Sequence, residues 1–241
     1  MNIIITGSNR GIGKSLVEFF ASNGHNVWAC ARKQSTEFEE YLSRLAEQYG
    51  VWIKPIYFDI SDDSEIIGGL QTICSEKLPI DVLINNAGVS AVGLLSQTKI
   101  DDVKDIFNIN YFSVLRIIQL VSKKMIMKRK GVIINMASLA GIEPQPGKIA
   151  YGSSKAAIIL MTQCLAKELG PLGIRVNAIA PGPIETEMIH QYSEEMQKKL
   201  ASESSLRRLG KPDEIAQTAL FLASDQASYI NGEIIKVDGG R

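Results

Sequence analysis

The stretch IIITGSNRGIGKSLVEFF, residues 3–20, joins a β-branched apolar run to a helical pattern through a loop that contains three glycines. The run IIIT is typical of a strand buried on both faces, and Gly11–Asn23 has the apolar spacing of a helix. Gly7, Gly11 and Gly13 follow the spacing G-x-x-x-G-x-G. Glycines at such a strand-to-helix turn let the backbone and the free N–H groups of the helix approach an anion closely. The stretch therefore predicts the first unit of an α/β fold that binds the pyrophosphate of a dinucleotide.

The same alternation of short apolar strands and longer helices continues along the chain. Further strands are predicted at 27–31, 51–58, 81–85, 131–138, 174–180 and 233–237, and further helices at 36–49, 62–77, 99–129, 151–169 and 212–223. Apolar strands separated by helices indicate a parallel sheet that is covered on both faces. We therefore predict a single α/β domain over 1–241 with a Rossmann fold, a doubly wound parallel sheet of about seven strands with helices on both faces. The segment 187–211, which mixes polar and apolar residues, is expected to form a lid over the substrate.

The composition is that of an ordinary soluble globular protein. Of the 241 residues, 45% are hydrophobic and 22% are charged, and 26 basic side chains balance 26 acidic ones. This balance argues against nucleic acid or an anionic membrane as a partner. The three scattered cysteines suit a reducing compartment, and neither they nor the two histidines have the spacing of metal ligands. From this spacing we expect no metal site. Because the sequence shows no signal peptide and no membrane-spanning run, we expect a cytoplasmic protein.

The stretch AYGSSKAA, residues 150–157, places a phenol and an ammonium four residues apart on a predicted helix. Side chains at i and i+4 lie on the same face, so Lys155 is expected beside Tyr151. A neighbouring cation favours the phenolate and lowers the pKa of a tyrosine, which suits it to protonate a carbonyl oxygen as a general acid. The small residues around the pair would let a cofactor and a substrate approach. The alternative is a plain surface pair, which contributes only about 0.2–0.5 kcal/mol to stability.

Five motifs occur in order along the chain: TGSNRGIG (6–13), NNAG (85–88), Ser138, Tyr151-x-x-x-Lys155 and PGPIET (181–186). Together they resemble the short-chain dehydrogenase/reductase family over essentially the whole chain, which implies hydride transfer between a nicotinamide cofactor and a carbonyl or hydroxyl group. The catalytic set that the resemblance implies is Asn110, Ser138, Tyr151 and Lys155. Ser138 would hold the reacting oxygen, Asn110 would help to bind a water of the proton relay, and Lys155 would also hold the nicotinamide ribose. The alternatives are that Ser138 only stabilises a turn and that Asn110 satisfies a buried backbone group.

The end of the second predicted strand decides between the two nicotinamide cofactors. An acidic residue there would bind the ribose hydroxyls of NAD, but this chain has Arg32 instead, with Arg10 inside the glycine loop. Two guanidinium groups can grip a 2′-phosphate with charge-assisted hydrogen bonds, so the predicted cofactor is NADP(H). The alternative is that Arg32 is only solvated at a strand end. The glycine loop and Arg32 are predicted from their own residues, and the resemblance implies the other contacts, with Asp59 and Ile60 against the adenine. The predicted cofactor contacts are Gly7, Ser8, Asn9, Arg10, Gly11, Ile12, Gly13, Arg32, Asp59, Ile60, Asn86, Ala87, Gly88, Tyr151, Lys155, Pro181, Gly182, Ile184 and Thr186.

Two segments narrow the substrate class. RRLGKPDEIAQTALFLASDQASYINGEIIKVDGG (207–240), together with PGPIETEM (181–188), resembles the 3-oxoacyl-[acyl-carrier-protein] reductases of fatty acid synthesis. This resemblance implies an acyl thioester as substrate, an acyl carrier protein as a partner, and Arg129 as a basic residue beside the cleft, unless it is only a solvated helix end. Residues 148–150 and 171–173 depart from that subfamily. Two alternatives therefore stay open: a reductase of the same mechanism acting on a sugar, polyol or other small carbonyl, and a non-catalytic NADP(H)-binding protein.

The resemblance also bears on assembly. Family members commonly pair the long helices on either side of the fifth strand and use the C-terminal segment for a second interface, which implies a homotetramer. The apolar content of 103–121 and 156–169 permits such pairing, although a helix that packs only on its own sheet would show the same pattern.

Overall fold

Seven strands form one parallel sheet in the computed structural model of the protein, which describes residues 1–241 apart from the side chain of Met188. The strands are β1 (Asn2–Thr6), β2 (Asn26–Ala31), β3 (Ile53–Tyr57), β4 (Val82–Asn85), β5 (Gly131–Met136), β6 (Ile174–Pro181) and β7 (Ile234–Val237). Their order across the sheet is β3-β2-β1-β4-β5-β6-β7, and neighbouring strands are parallel. The chain runs outward from β1 to β3 and then returns to β4 on the other side of β1. This reversal confirms the predicted doubly wound sheet.

Helices connect the strands and cover both faces of the sheet, as parallel strands require. They are α1 (Gly11–Ser22), α2 (Thr36–Tyr49), α3 (Asp63–Ser75), α4 (Ile100–Phe107), α5 (Ser113–Lys128), α6 (Ile149–Leu169), α7 (Glu187–His190), α8 (Glu194–Ser202) and α9 (Pro212–Ala223). Within the described part of the chain, these helices all fall short of the length and apolar character that crossing a bilayer requires.

Strand β1 shows how the alternation of side chains serves two cores. Ile3 and Ile5 point to one face of the sheet, where they pack in a cluster with residues of α1, α2 and α9. Ile4 points to the other face, where it packs with residues of α3, α5 and α6. All three isoleucines are fully buried, which is what the uninterrupted apolar run of this strand predicts.

The long segment predicted over 99–129 is helical in the structure, and a π-helical turn at 108–112 connects α4 to α5. The amphipathic pattern did not indicate this turn. The side chain of Asn110, inside this turn, forms hydrogen bonds with the backbone of Val89 and the hydroxyl of Ser154. These tertiary hydrogen bonds hold a rare geometry that is frequently found at functional sites.

The carboxyl ends of β1, β4, β5 and β6 lie side by side at one edge of the sheet. The glycine loop follows β1, the NNAG segment overlaps the end of β4, Ser138 lies two residues beyond β5, and the PGPIET segment starts in the last residue of β6. Helix α6, which begins shortly after Ser138, carries Tyr151 and Lys155 in its first turns. The topology therefore brings all five sequence motifs to the edge where doubly wound sheets bind their ligands.

Candidate active site

The glycine loop after β1 has a geometry that larger side chains would not permit. Gly7 has a φ of +68°, and a Cβ atom on it would lie 2.9 Å from the Cα of Ala87. A Cβ atom on Gly13 would lie 1.9 Å from the carbonyl oxygen of Gly7. The loop is thus folded tightly against its neighbours, and it leaves the backbone N–H groups at the start of α1 open to an anion. This cradle fits the pyrophosphate of a dinucleotide.

The segment after β4 holds the glycine loop in place through hydrogen bonds. The side-chain amide of Asn86 donates hydrogen bonds to the carbonyl oxygens of Thr6 at 3.0 Å and Gly7 at 3.1 Å. The hydroxyl oxygen of Thr6 accepts hydrogen bonds from the backbone N–H groups of Asn86 at 3.1 Å and Ala87 at 3.0 Å. The donors of the Asn86 side chain are therefore used inside the protein, where they position the glycine loop.

The remaining residues of the glycine loop divide into buried and exposed ones. The buried Ser8 donates its hydroxyl to the carbonyl oxygen of Ile5 at 2.7 Å, so its side chain holds the turn. Asn9 and Arg10 are exposed at the rim of the cradle. Arg10 occupies the N-cap position of α1 and forms no capping hydrogen bond through its side chain with any described residue. The guanidinium group is thus available to a bound anion.

The ends of β2 and β3 place a cation and a carboxylate next to the cradle. Arg32 follows the last residue of β2 and is exposed. Asp59 lies beyond β3 and accepts hydrogen bonds from the backbone N–H of Ser61 at 2.8 Å and from its hydroxyl at 2.7 Å. The backbone hydrogen bond from Ser61 lowers the pKa of Asp59, and the nearby charge of Arg32 lowers it further. A positive charge therefore stands where NAD-binding proteins of this fold carry an acid.

Helix α6 places the predicted catalytic pair one turn apart on its cleft side. Lys155 is buried, and its Nζ donates a hydrogen bond to the carbonyl oxygen of Met136 at 2.8 Å. The same Nζ lies 5.9 Å from the centre of the Tyr151 ring. A Cβ atom on Gly152 would lie 2.7 Å from the carbonyl oxygen of Ala140, so the glycine lets the turn after Ser138 pack directly on the helix. The Ser138 hydroxyl accepts a hydrogen bond from the N–H of Ala140 at 3.2 Å, as in the alternative in which it stabilises a turn, and it also lies close enough to influence the pKa of the phenol.

Burial shifts both members of the pair toward their neutral forms. It raises the pKa of the Tyr151 phenol, while the neighbouring Ser138 hydroxyl lowers it and the nearby Tyr192 raises it. Burial also lowers the pKa of the Lys155 ammonium to about 8. The net shift of the Tyr151 pKa is set by burial, and the effect of Lys155 on it stays a prediction. The raised pKa keeps the proton on Tyr151 at neutral pH, as a general acid requires.

Asn110 connects the segment after β4 to helix α6 through hydrogen bonds. Its buried side chain accepts a hydrogen bond from the N–H of Val89 at 2.9 Å and donates to the carbonyl oxygen of Val89 at 2.9 Å and the hydroxyl of Ser154 at 3.0 Å. A Cβ atom on Gly88 would lie 3.0 Å from the Asn110 Oδ1 and 3.4 Å from the Lys155 Nζ, so the three residues meet. The geometry matches the alternative in which Asn110 satisfies buried backbone groups, and its part in a proton relay stays a prediction.

The loop after β6 reaches back over the glycine cradle. A Cβ atom on Gly11 would lie 3.3 Å from the Cγ2 of Thr186, and the buried Ile184 pairs with Gly210 in an isolated parallel bridge. This bridge closes the base of a segment that contains α7 and α8 and includes Tyr192. The two ends of the predicted lid at 187–211 are thus held together by this bridge.

Two residues of the site were not predicted as functional from the sequence. Lys148, the residue before α6, places its Nζ 5.4 Å from the centre of the Tyr151 ring and 3.3 Å from the hydroxyl of Ser90. Tyr192 of the lid segment lies close enough to influence the pKa of Tyr151. The available signal was that residues 148–150 depart from the subfamily that the rest of the chain resembles.

One predicted contact residue lies elsewhere. Arg129 ends α5 in a left-handed conformation with a φ of 48°, and its guanidinium donates to the carbonyl oxygen of Pro171 at 2.8 Å. It immediately precedes the amino end of β5, whereas Tyr151 lies at the carboxyl ends of the strands. Within one chain, Arg129 therefore does not lie beside the cleft, and the prediction was wrong. Helix α5 brings the backbone from the carboxyl ends of the strands back to their amino ends.

The fold and this site define an oxidoreductase of the dinucleotide-binding class, with a nicotinamide cofactor and a substrate carbonyl or hydroxyl group. Family comparison agrees with the geometry, since the model described as "Enoyl-(Acyl carrier protein) reductase" matches residues 7–241. The chain belongs to the short-chain dehydrogenase/reductase family.

Individual relatives share nearly the full length of the chain. The 3-oxoacyl-[acyl-carrier-protein] reductase FabG of Thermotoga maritima is 40% identical over 237 residues, which cover 98% of this chain and 96% of that protein. The structure of 3-oxoacyl-[acyl-carrier protein] reductase from Brucella melitensis is 31% identical with a TM-score of 0.89, covering 99% of this chain and 90% of the other. A proposed gluconate dehydrogenase from Agrobacterium tumefaciens is 28% identical with a TM-score of 0.93, covering 99% and 94% of the two chains.

Proposed function

We propose that this protein reduces the 3-oxo group of an acyl thioester to a secondary alcohol with NADPH, the acyl group being carried on an acyl carrier protein. The observation that carries the proposal is the meeting of Tyr151, Ser138 and Lys155 beside the glycine cradle. The relatives named as 3-oxoacyl-[acyl-carrier-protein] reductases supply the substrate class.

The residues of the cradle would hold the cofactor. The N–H groups at the start of α1 would face its pyrophosphate, and, as the family resemblance implies, Asp59 and Ile60 would border its adenine. Arg10 and Arg32 supply the charge that recognises a 2′-phosphate, which favours NADPH over NADH. Lys155 offers its ammonium to the ribose hydroxyls. When bound, the reduced nicotinamide supplies a hydride to the carbonyl carbon of the substrate.

The side chains around Tyr151 would handle the proton. Ser138 donates a hydrogen bond to the carbonyl oxygen of the substrate and fixes its position. Tyr151 then gives the proton of its hydroxyl to that oxygen, so that hydride and proton together convert the ketone to an alcohol. A phenol has a pKa of about 10 and burial raises that of Tyr151, so this proton is present at neutral pH. The lid at 187–211 would exclude water while the transfer takes place.

The first experiment follows NADPH oxidation by absorbance with three kinds of substrate. Acetoacetyl thioester tests the proposal, crotonyl thioester tests the enoyl reduction named by the family model, and a panel of sugars and simple ketones tests the wider class. We expect turnover on acetoacetyl thioester and a much lower rate on the others. Activity confined to crotonyl thioester or to the panel would contradict the proposal.

The second experiment tests the acid. Tyr151→Phe removes only the hydroxyl, so we expect turnover to fall by about 10²-fold or more while NADPH affinity, followed by fluorescence, stays unchanged. Tyr229→Phe is the matched control, because Tyr229 is fully exposed and distant in sequence from the site. Near-normal turnover of the Tyr151→Phe variant would rule out Tyr151 as the proton donor.

A second candidate function is reduction or oxidation of a sugar or polyol by the same residues. The high structural similarity to the proposed gluconate dehydrogenase favours it. Turnover on the sugar panel alone would establish this candidate. Tight NADPH binding without turnover on any substrate would instead indicate a non-catalytic NADP(H)-binding protein.

We also propose a homotetramer working in the cytoplasm. Support comes from apolar side chains that α5 and α6 leave exposed, Met127 at 80% and Leu160 at 62%. Covering such side chains in an interface would be favourable. Light scattering coupled to size-exclusion chromatography measures the mass directly, and a monomer would contradict the proposal.

A further inference from the structure

Lys148 is a cation at the candidate site that the proposed reaction does not yet use. Its Nζ stands 5.4 Å from the centre of the Tyr151 ring, close to the 5.9 Å of Lys155. Two ammonium groups thus lie within 6 Å of the centre of the Tyr151 ring. Lys155 points into the protein, where it donates to the carbonyl oxygen of Met136, whereas Lys148 is only half-buried.

The Lys148 ammonium is incompletely partnered. It donates one hydrogen bond, to the Ser90 hydroxyl at 3.3 Å, although an ammonium carries three donors. Among the described side chains, no carboxylate lies within ion-pair distance of it. Burial lowers the pKa of Lys148, which reflects the cost of holding this charge away from water. A ligand oxygen that accepts the two free donors would offset that cost.

The backbone around Lys148 is fixed before any ligand binds. The preceding residue, Gly147, has a φ of +77° and accepts a hydrogen bond from the N–H of Gly93 at 2.9 Å. A Cβ atom on Gly147 would lie 3.2 Å from the Cγ1 of Val92. The segment that carries Ser90 and the segment that carries Lys148 are therefore joined. The Lys148 stem thus starts from a defined position next to the phenol.

We propose that Lys148 binds a second oxygen of the substrate, located two carbons from the carbonyl that Tyr151 protonates. This inference rests on the proposed function and narrows it. In a 3-oxoacyl thioester, the thioester carbonyl occupies that place. The two oxygens of such a β-dicarbonyl group are about 3–5 Å apart by standard bond lengths, a span that a phenol and a neighbouring ammonium can bridge with one hydrogen bond each. Lys148 thereby selects β-dicarbonyl substrates over simple ketones.

The test compares three substrates that share the group CH3COCH2 and differ in the group attached to it. Acetoacetyl thioester carries a neutral carbonyl there, acetoacetate carries a carboxylate, and 2-pentanone carries none. For the Lys148→Met variant we expect kcat/KM to fall by about 10-fold or more on both β-dicarbonyl substrates, as the loss of a charged hydrogen bond implies. On 2-pentanone the rate should change less than about threefold. A larger fall on acetoacetate than on the thioester would show that a carboxylate is the preferred partner.

Two further measurements separate substrate recognition from a structural role. Lys148→Arg keeps the charge, so it should recover part of the preference for β-dicarbonyl substrates, and Lys148→Gln should recover less. NADPH affinity should match that of the natural protein in all three variants, and none of them should be less thermally stable. If Lys148→Met lowers kcat/KM equally on all substrates, or changes none of them, the inference is wrong while the proposed function stands. If the natural protein reduces neither β-dicarbonyl compound, both are wrong.

Discussion

Replacing Lys155 by methionine should make the protein more stable and inactive, and the gain in stability should depend on pH. Lys155 is buried without a carboxylate among the described residues, and its ammonium donates to the carbonyl oxygen of Met136. Burial therefore costs the folded protein free energy whenever the group is charged. Methionine has a similar length and no charge, so the Lys155→Met variant escapes this cost.

The magnitude follows from the two pKa values of the lysine. Burial lowers the pKa of Lys155 from 10.5 to about 8. Between these values the unfolded chain binds one more proton than the folded chain, so the free energy of unfolding of the natural protein rises with pH. At about 1.4 kcal/mol per pH unit, the lowered pKa costs the natural protein about 3 kcal/mol in the free energy of unfolding when Lys155 is fully charged. About 2 kcal/mol of this cost disappears between pH 6.5 and 9.5. The advantage of the variant should shrink by that amount over the same range.

Urea unfolding of the ligand-free proteins, followed by tryptophan fluorescence, measures this difference at pH 6.5, 7.5, 8.5 and 9.5. The absolute difference also contains the lost hydrogen bond to Met136, so the change with pH carries the test. Lys167→Met is the matched control, because Lys167 is exposed on the same helix and should give a difference that is constant with pH. A constant difference for Lys155→Met as well would refute the assignment of a buried ammonium with a lowered pKa.

Two further substitutions test the cofactor choice and the backbone. Arg32→Asp replaces the cation after β2 by a ribose-binding acid, so the ratio of kcat/KM for NADPH over NADH should fall by about 10-fold or more, and an unchanged ratio would remove Arg32 from 2′-phosphate recognition. Gly173→Ala puts a Cβ atom 2.1 Å from the carbonyl oxygen of Arg129 at a φ of +81°, whereas Gly24→Ala has open space at a φ of +75°. Gly24→Ala should cost about 1–2 kcal/mol in the free energy of unfolding and Gly173→Ala clearly more. Equal costs would show that the backbone near Arg129 yields to the clash.

The sheet and the glycine loop could be predicted because local sequence determines them. The uninterrupted apolar run of β1 indicates a strand that is buried on both faces. Gly7 and Gly13 indicate a turn in which no side chain fits. The placement of the motifs at one edge then follows from the parallel topology. No tertiary information beyond the alternation of strands and helices was needed for these conclusions.

The features that escaped prediction depend on contacts between distant segments. The π-helical turn at 108–112 is held by hydrogen bonds from Asn110 to Val89 and Ser154, which the hydrophobic pattern of the helix does not reveal. The direction of the Tyr151 pKa depends on how completely the fold desolvates the phenol, and a motif contains no measure of burial. Lys148 was visible only as a departure from related sequences until its distance from the Tyr151 ring was known.

The π-helical turn also determines which changes of length the chain can absorb. A π-helical turn holds one more residue than the α-helical hydrogen-bond pattern would, and each residue of an α-helix turns the chain by about 100°. Deleting one residue between 108 and 112 would restore a regular helix but rotate the Asn110 side chain away from Gly88 and Lys155. A gap at this place in an alignment of relatives therefore marks a change in the candidate active site, although it falls in the middle of a helix.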